Sequence, residues 1–436
     1  MAVASSRVFV PAAARLADRT RHRTALRLLP FLFTLYLGNY LDRTSVAYAA
    51  IGMTRELGFS DRVFGLGAGV FFIGYVALQI PGALLVERWS ARRMISLTMI
   101  AWGSMTALTA LVHTPSELYV ARFLLGAAEA GFFPGVIVYL SHWFVCEHRA
   151  KVTSNFMSAI PLSFVIASPI AGLILGRSWL GIAGWRWLFI LEGLPAVLLG
   201  IIAFFYLTDL PVQAEWLAPD QRQWIENKLQ EERPAAGFEA MPIRQALTSS
   251  TILLLAVVCF LNYFAYYSFL FWLPTMFKRQ SGFSDLNVGL LGALPYAALF
   301  GAMLVNGWHS DRHCERRWHC AGPSLIAAVA LLGLAAHPQS IPVLLTLFTL
   351  ATIGNAYLPA FWTLPTELLC KSAAAASVGM INAVGSVAGF AGPYLFGYMN
   401  TKFGSFSYGL TVLALSSLAA GLLVLRIPKK TLAPGL

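Results

Sequence analysis

Apolar stretches long enough to cross a membrane recur along the whole chain, with short polar segments between them. A membrane-spanning helix needs about 20 mostly apolar residues. Windows of this kind cover residues 28–50, 63–85, 94–112, 118–143, 153–176 and 187–208, and after a polar stretch they resume at 249–273, 285–307, 321–337, 341–366, 373–399 and 406–426. The pattern predicts an all-α polytopic membrane protein with 12 transmembrane helices in two groups of six.

Composition agrees with this prediction, because 58% of the 436 residues are hydrophobic and only 12% are charged. The one long polar segment, with its polar residues at helical spacing, predicts a linker that contains an amphipathic helix. The predicted organisation is a disordered cytoplasmic tail at 1–27, a six-helix bundle at 28–208, the cytoplasmic linker at 209–248, a second six-helix bundle at 249–426 and a second tail at 427–436.

The distribution of Lys and Arg predicts the orientation. With a cytoplasmic N-terminus, the short inside segments hold 18 Lys and Arg residues and the outside loops hold seven. Basic residues resist translocation, so both termini are expected in the cytoplasm. The net charge of +11 is then an orientation signal.

An acid and a base stand side by side in the first apolar window. Asp42 lies 12 residues after Pro30, which places it about 18 Å into a core of about 30 Å. Tyr36, Asn39, Tyr40 and Arg43 recur at helical spacing on one face, whereas Asp42 points about 100° away. That second face also holds Gly38, where we expect another helix to approach.

The fourth window supplies a matching pair of charges. Arg122 and Glu129 are seven residues apart, so they share one helix face, with Gly126 between them. Arg offers a planar donor fork for carboxylates, and a buried carboxyl group gains or loses a proton according to its surroundings. Ionisable groups inside a membrane are functional by default. We therefore expect Arg43 and Arg122 to bind an anion and Asp42 and Glu129 to carry protons; the alternative is a set of internal ion pairs that only fix packing.

The two halves repeat a charged loop. ERWSARR (87–93) follows the second window and DRHCERR (311–317) follows the eighth, 311 − 87 = 224 positions later. The duplication and the charges resemble the major facilitator superfamily, with Ser90 and Cys314 where that family has glycine. The resemblance implies a conformational latch formed by Glu87, Arg88, Arg92, Asp311, Arg312 and Arg316; the alternative is a charge cluster that sets topology.

A narrower resemblance covers nearly the whole chain. NYLDR, ARFLLGAAEAGFFPG, GWRWLFILEGLPAVLLG, FWLP and AVGSVAGFAGPYLFGY resemble the anion:cation symporter branch, which includes bacterial transporters of tartrate, phthalate, hexonates and hydroxyphenylacetate and the sialin-type carriers. The resemblance implies proton sites at Asp42 and Glu129 and substrate-anion sites at Arg43 and Arg122. It also makes Tyr75 a substrate ligand.

Polar and aromatic residues of both halves are candidates for the rest of the substrate site. The candidates in the first half are Asn39, Tyr40 and Tyr75. Those in the second half are Tyr266 in the seventh window and Asn382 and Ser386 in the eleventh. Each has a second interpretation as an interfacial anchor or an interhelical hydrogen bond. Arg186 and Glu192 are expected to be structural, the first at the membrane interface and the second at a helix end.

Other functional classes lack sequence support. No nucleophile elbow or phosphate loop indicates an enzyme, and no basic cluster interleaved with aromatics indicates nucleic-acid binding. The five cysteines lie in spans or on the cytoplasmic side, where disulfides are not expected. The His- and Cys-rich segment 309–320 matches no standard zinc spacing, so we expect no metal there.

The buried charges and the family resemblance together predict a proton-coupled symporter that takes up a small organic anion across the bacterial inner membrane by alternating access. We expect a monomer in a lipid bilayer, with protons as the coupling ion and no other cofactor. ASPIAGLIL matches the antiporter motif of drug exporters only in part, with Ser168 and Leu173 where that motif has glycines, and this departure favours uptake. A proton-driven exporter and a non-transporting anion sensor remain open alternatives.

Overall fold

The computed structural model describes residues 12–145, 152–153, 155–232, 249–313, 315–368 and 371–427. These residues are almost entirely helical. The first half contains α1 (Ala12–Leu57), α2 (Asp61–Arg88), α3 (Ala91–Thr109), α4 (Pro115–Glu129), α5 (Phe132–Ser141), α6 (Ala159–Leu175), the short hairpin of β1 (Ser178–Trp179) and β2 (Ile182–Ala183), and α7 (Gly184–Tyr206). After α8 (Pro219–Glu231), the second half contains α9 (Ser250–Ser281), α10 (Asp285–His313), α11 (Arg317–Ala335), α12 (Ile341–Ile353), α13 (Leu358–Leu368), α14 (Lys371–Phe403) and α15 (Phe406–Val424).

Ten helical segments of the described chain are long and apolar enough to cross a membrane. The continuous pairs α4–α5 and α12–α13 each count as one of them. The two other predicted windows, 28–50 and 94–112, coincide largely with α1 and α3. Both helices carry charged residues, Asp42 and Arg43 in α1 and Arg92 and Arg93 in α3, which lower their hydropathy. The all-α membrane fold is therefore confirmed.

The two halves pack against each other through three helix pairs, α2 with α14, α6 with α10 and α1 with α9. Glycines allow the helices of the two halves to approach each other most closely. A Cβ atom on Gly172 would lie 2.9 Å from the Cα atom of Gly289, and one on Gly65 would lie 2.5 Å from the carbonyl oxygen of Pro393. These contacts lie toward one end of the bundle, which we call the distal end; the beginning of α1 and the helix α8 lie at the other end, which we call the terminal end.

The first helix is longer than the sequence analysis expected. Residues 12–27, predicted to be a disordered tail, form the beginning of α1, and that prediction is wrong for this segment. The segment has no helix breaker, and one face of it is buried: Thr20 and Thr24 are 0% and 1% exposed. This face packs against the end of α5 and against α8, where Ile225 is buried.

The helix α8 lies within the predicted linker and joins the terminal end of the first bundle. Trp216, just before α8, stacks on Trp143 at a centroid distance of 5.4 Å. The guanidinium of Arg27 lies over the Trp216 ring at 5.0 Å and over the Tyr206 ring at 4.8 Å. Residues 233–248 of the predicted linker lie outside the described part of the chain.

Candidate functional site

A buried ion pair joins α1 to α4 in the middle of the first bundle. The Arg43 side chain donates from Nε to Oε2 of Glu129 at 2.9 Å, and its Nη2 lies 2.7 Å from the same oxygen. The Asn39 amide donates to the other oxygen, Oε1. The Glu129 side chain is 1% exposed and that of Arg43 is 13% exposed. One face of α1 therefore holds both partners of Glu129, as the helical spacing predicted.

The second arginine of the site is buried without an ion-pair partner in the described chain. Arg122 is 1% exposed, and its Nε and Nη2 atoms have no hydrogen-bond partner among the described residues. Its guanidinium lies over the Phe71 ring at 4.8 Å, and that of Arg43 lies 5.4 Å from the same ring. Two cationic groups thus flank one aromatic ring, and only Arg43 has a carboxylate bound.

Close packing of α2 on α4 places the aromatic residues of the site. A Cβ atom on Gly126 would collide with the carbonyl oxygen of Phe71, and one on Gly74 would collide with that of Phe123. The helices therefore meet at backbone distance, which brings the Tyr75 ring to 5.2 Å from the Arg43 guanidinium. Cation–π attraction of this kind is worth about 0.5–2 kcal/mol.

Asp42 lies on a different face of α1 from Arg43, as predicted. Its Oδ2 accepts a hydrogen bond of 2.5 Å from Thr106 on α3, and its Oδ1 has no partner among the described residues. Arg122 is close enough to interact electrostatically with Asp42, although the described chain contains no ion pair between them. The expectation for Gly38 is wrong, since a Cβ atom there would meet nothing within 4 Å; Thr106 on α3 reaches Asp42 instead.

The second half contributes aromatic residues to the same region. Tyr40 covers Arg43 at 5.0 Å, and Tyr266 on α9 lies within electrostatic range of both. Asn382 on α14 is half-buried. The Ser386 hydroxyl donates to the Asn382 carbonyl at 2.9 Å, so its hydrogen is used within its own helix. Tyr266 and its neighbour Tyr267 are thus second-half residues that lie within electrostatic range of Arg43.

The four predicted latch residues whose side chains are described contact residues of their own halves. The Arg92 amide donates to Asp209 at 2.9 Å, and Ser90 donates to the same carboxylate at 2.7 Å. In the second half, Arg316 pairs with Asp311 at 2.5 Å, and Arg312 lies 5.4 Å from the Trp308 ring. The side chains of Glu87 and Arg88 lie outside the described part of the structure.

A connection between the halves that the sequence analysis missed lies at the distal end. Asp61, the first residue of α2, accepts two hydrogen bonds from Arg279 near the end of α9, at 2.6 and 2.7 Å. The Asn400 amide of α14 also donates to Asp61. We call Asp61, Arg279 and Asn400 the distal clamp. No sequence pattern predicts the distal clamp, because its members are single polar residues near the ends of ordinary helices.

The histidine-rich loop forms a small hydrogen-bonded group. His309 Nδ1 lies 2.6 Å from His319 Nε2, and His319 Nδ1 lies 2.9 Å from Glu315. Of the cysteines, Cys259 and Cys320 are buried free thiols, whereas Cys314 lies outside the described residues. Within the described chain, no group of three or more His, Cys, Asp or Glu is arranged to hold a metal ion.

Two packed helical bundles with buried charges inside the first are the architecture of a multi-pass membrane transport protein, and the family and relatives below are transporters rather than enzymes. The model of the Major Facilitator Superfamily matches residues 32–393, and the chain belongs to that family.

Relatives carry transporter names. The chain is 41% identical to a "putative tartrate transporter" of Agrobacterium vitis, over 92% of each chain. It is 36% identical to a "quinolone resistance transporter" of Acinetobacter baumannii, over 89% of this chain and 90% of that one. A solved bacterial homologue of the human lysosomal transporter Spinster, in an inward-facing and unoccupied conformation, superposes with a TM-score of 0.74 at 20% identity, over 94% of this chain and 95% of that one.

We expect the Asp61→Asn substitution to loosen the distal end, because it removes one charge of a two-bonded pair between the halves. Arg279 is 44% exposed, so the pair is worth roughly 1 kcal/mol, about a fivefold change in a two-state population. Spin labels at the exposed loop positions Leu180 and Gln339 report the distance between the halves by pulsed electron paramagnetic resonance. The variant should populate longer distances.

The matched control is Asp285→Asn, which breaks the 2.8 Å pair with Lys278 at the same end but inside one half. It should leave the distances unchanged. The charge exchange Asp61→Arg with Arg279→Asp should restore the wild-type distribution. Identical distributions in Asp61→Asn and in the control would show that the clamp does not hold the halves together.

Proposed function

We propose that this protein takes up a small organic anion together with protons, by alternating access of a central site to the two sides of the membrane. The observation that carries the proposal is the charge arrangement of that site. Two arginines lie in the bundle interior, where a charged side chain costs about 3 kcal/mol or more. Glu129 pairs with Arg43, whereas Arg122 has unpaired donors among the described residues. A buried cation of this kind is suited to an anionic ligand.

A carboxylate is the ligand group that fits best. A guanidinium binds a carboxylate through two parallel hydrogen bonds, and the Nε and Nη2 atoms of Arg122 form one edge of such a fork. The Phe71 ring covers the Arg122 guanidinium at 4.8 Å, and no carboxylate of the described chain occupies these two donors. The name of the Agrobacterium vitis relative supports tartrate as the first anion to test, with sugar acids and aromatic acids after it.

The substrate anion and Glu129 compete for Arg43, and this competition couples anion binding to protonation of Glu129. In the ion pair, Glu129 satisfies the Nε and Nη2 donors of Arg43. Protonation of Glu129 removes its charge and weakens its hold on Arg43, which leaves the guanidinium available to a substrate carboxylate. Asp42, within range of Arg122, acts as the second proton site. Loading the anion and loading the proton then favour each other, as symport requires.

The fold supplies a basis for alternating access. The distal clamp holds the halves together at one end, and opening that end requires Asp61 and Arg279 to separate. We propose that the loop residues Glu87, Arg88, Arg92, Asp311, Arg312 and Arg316 form the corresponding latch at the terminal end in the opposite state. The orientation proposed is the one with both termini in the cytoplasm, in the inner membrane.

Export driven by protons is a second candidate. The name of the Acinetobacter baumannii relative favours it, since resistance to a drug commonly reflects its removal from the cell. The charges in the site suit either direction. Net movement of radiolabelled tartrate and of a fluoroquinolone in cells that express the protein separates uptake from export.

We expect Arg122→Lys to weaken anion binding at least about tenfold, because lysine keeps the charge but loses the planar fork. Binding of radiolabelled tartrate to purified protein measures this. Arg62→Lys is the matched control, since Arg62 is an exposed arginine 5.7 Å from the ring of Tyr398, far from the site. Wild-type affinity in Arg122→Lys would remove Arg122 from the binding site.

We expect Glu129→Gln and Asp42→Asn to separate exchange from accumulation. Each substitution mimics the protonated acid, so both variants should still exchange labelled for unlabelled tartrate in proteoliposomes. Both should lose accumulation driven by a pH gradient, because the empty carrier has no proton to release at that position.

The control on the same helix is Glu117→Gln, since glutamine also serves in the capping box that Glu117 forms with Thr114. It should keep both activities. Full gradient-driven accumulation in Asp42→Asn and Glu129→Gln would contradict proton coupling at these two carboxyl groups.

A further inference from the structure

Glu192 on α7 carries a further carboxyl group, which lies near Asp42 and is half-buried. Glu192 was expected at a helix end, but it lies inside α7, and that expectation is wrong. Its Oε2 atom is buried and has no hydrogen-bond partner among the described residues. Asp42 and Glu192 are close enough to interact electrostatically.

Tight packing of α7 on α3 brings these groups together. A Cβ atom on Gly193 would lie 2.6 Å from the amide nitrogen of Ala107, and one on Gly103 would lie 2.7 Å from the carbonyl oxygen of Gly193. Glu192 therefore lies next to the backbone contact that positions Thr106. Thr106 donates to Asp42, so α1, α3 and α7 meet around two carboxyl groups.

The hydrogen bonds distinguish the two carboxyl groups. Asp42 accepts a hydrogen bond from Thr106 through Oδ2, which stabilises a carboxylate. The Oε2 atom of Glu192 accepts none among the described residues, and the buried Ser45 uses its hydroxyl hydrogen on the Leu41 carbonyl at 2.9 Å. The negative charge is therefore better stabilised on Asp42 than on Glu192.

The charges around the pair are unequally placed. Arg43 and Glu129 neutralise each other on the opposite face of α1, and Arg122 lies within range of Asp42. In the described chain, no cation pairs with Glu192. Burial of a carboxyl group without a cation favours the neutral acid. One proton shared by two carboxyl groups fits this arrangement.

We propose that Glu192 is a third proton-carrying residue of the transporter, which exchanges one proton with Asp42 from behind α1. In the transfer, the O–H bond of Glu192 breaks and an O–H bond forms on Asp42, so the carboxylate moves from Asp42 to Glu192. The inference rests on the proposed proton-coupled transport. It adds a proton reservoir that does not touch the anion, which is bound on the other face of α1.

The test compares Glu192→Gln with Glu56→Gln in proteoliposomes that take up radiolabelled tartrate at a series of pH values. Glu56 is the matched control, because it also joins α1 to α7, through Trp185 and Arg186, but lies away from the carboxyl pair. Glu192→Gln should exchange tartrate within about twofold of wild type. Its pH of half-maximal uptake should move by about one unit, as expected for carboxyl groups that interact by one pK unit or more. Glu56→Gln should match wild type.

Two further measurements test the proposal even if Glu192→Gln does not fold. Glu192→Asp retains an acid and should retain pH-driven accumulation. The infrared spectrum of the wild type at neutral pH should contain a carbonyl band of a protonated carboxylic acid, which shifts in Glu192→Asp. A wild-type spectrum without such a band overturns the assignment.

Failure of this inference differs from failure of the proposed function. If wild-type protein accumulates tartrate in response to a pH gradient and Glu192→Gln has the pH profile of Glu56→Gln, only the role of Glu192 is lost. If the wild type shows no pH-driven movement of tartrate or of any acid in a panel of hydroxy, sugar and aromatic acids, both proposals are overturned.

Discussion

The ion pair of Arg43 with Glu129 is the interaction on which the rest of the site depends. Either charge alone would be costly at this depth, and the pair is held by Asn39 and covered by aromatic rings. Breaking such a pair by removing one partner leaves an uncompensated buried charge, at a cost of about 3–5 kcal/mol. The proposed transport cycle breaks this pair, so in that proposal each partner needs a substitute: a proton for Glu129 and an anion for Arg43.

The neighbouring groups follow the same constraint. Arg122 is kept in the interior by its contact with Phe71, and Asp42 is within reach of it without forming an ion pair in the described chain. The first bundle thus holds one formed pair and one unformed pair. In the proposed function, binding of an anion or a proton changes which arginine is paired with a negative charge, and this change favours one arrangement of the two halves over another.

The sequence was most informative where helix geometry alone decides the outcome. The spacing of Asn39, Arg43 and Asp42 placed the first two on one face and the third on another, and their hydrogen bonds confirm this. The apolar windows predicted the membrane-spanning helices, and the repeated charged loops indicated the family. The family resemblance also agreed with the names of the relatives.

What the sequence could not supply depends on contacts between helices. The distal clamp joins residues 218 positions apart, Asp61 and Arg279, and nothing in either segment indicates the other. Glu192 was misjudged because its surroundings come from α1 and α3. The extension of α1 over residues 12–27 was missed because its buried face is covered by α8, which is distant in the chain.

The central claim is that anion binding and proton binding are linked through Glu129 and Arg43. Calorimetric titration of purified protein with tartrate, repeated near neutral pH in buffers of different ionisation enthalpy, gives the number of protons exchanged per anion bound. The account predicts net proton uptake on binding, reduced in Glu129→Gln, and an affinity that rises as the pH falls. Binding without proton exchange, with an affinity independent of pH, would contradict it.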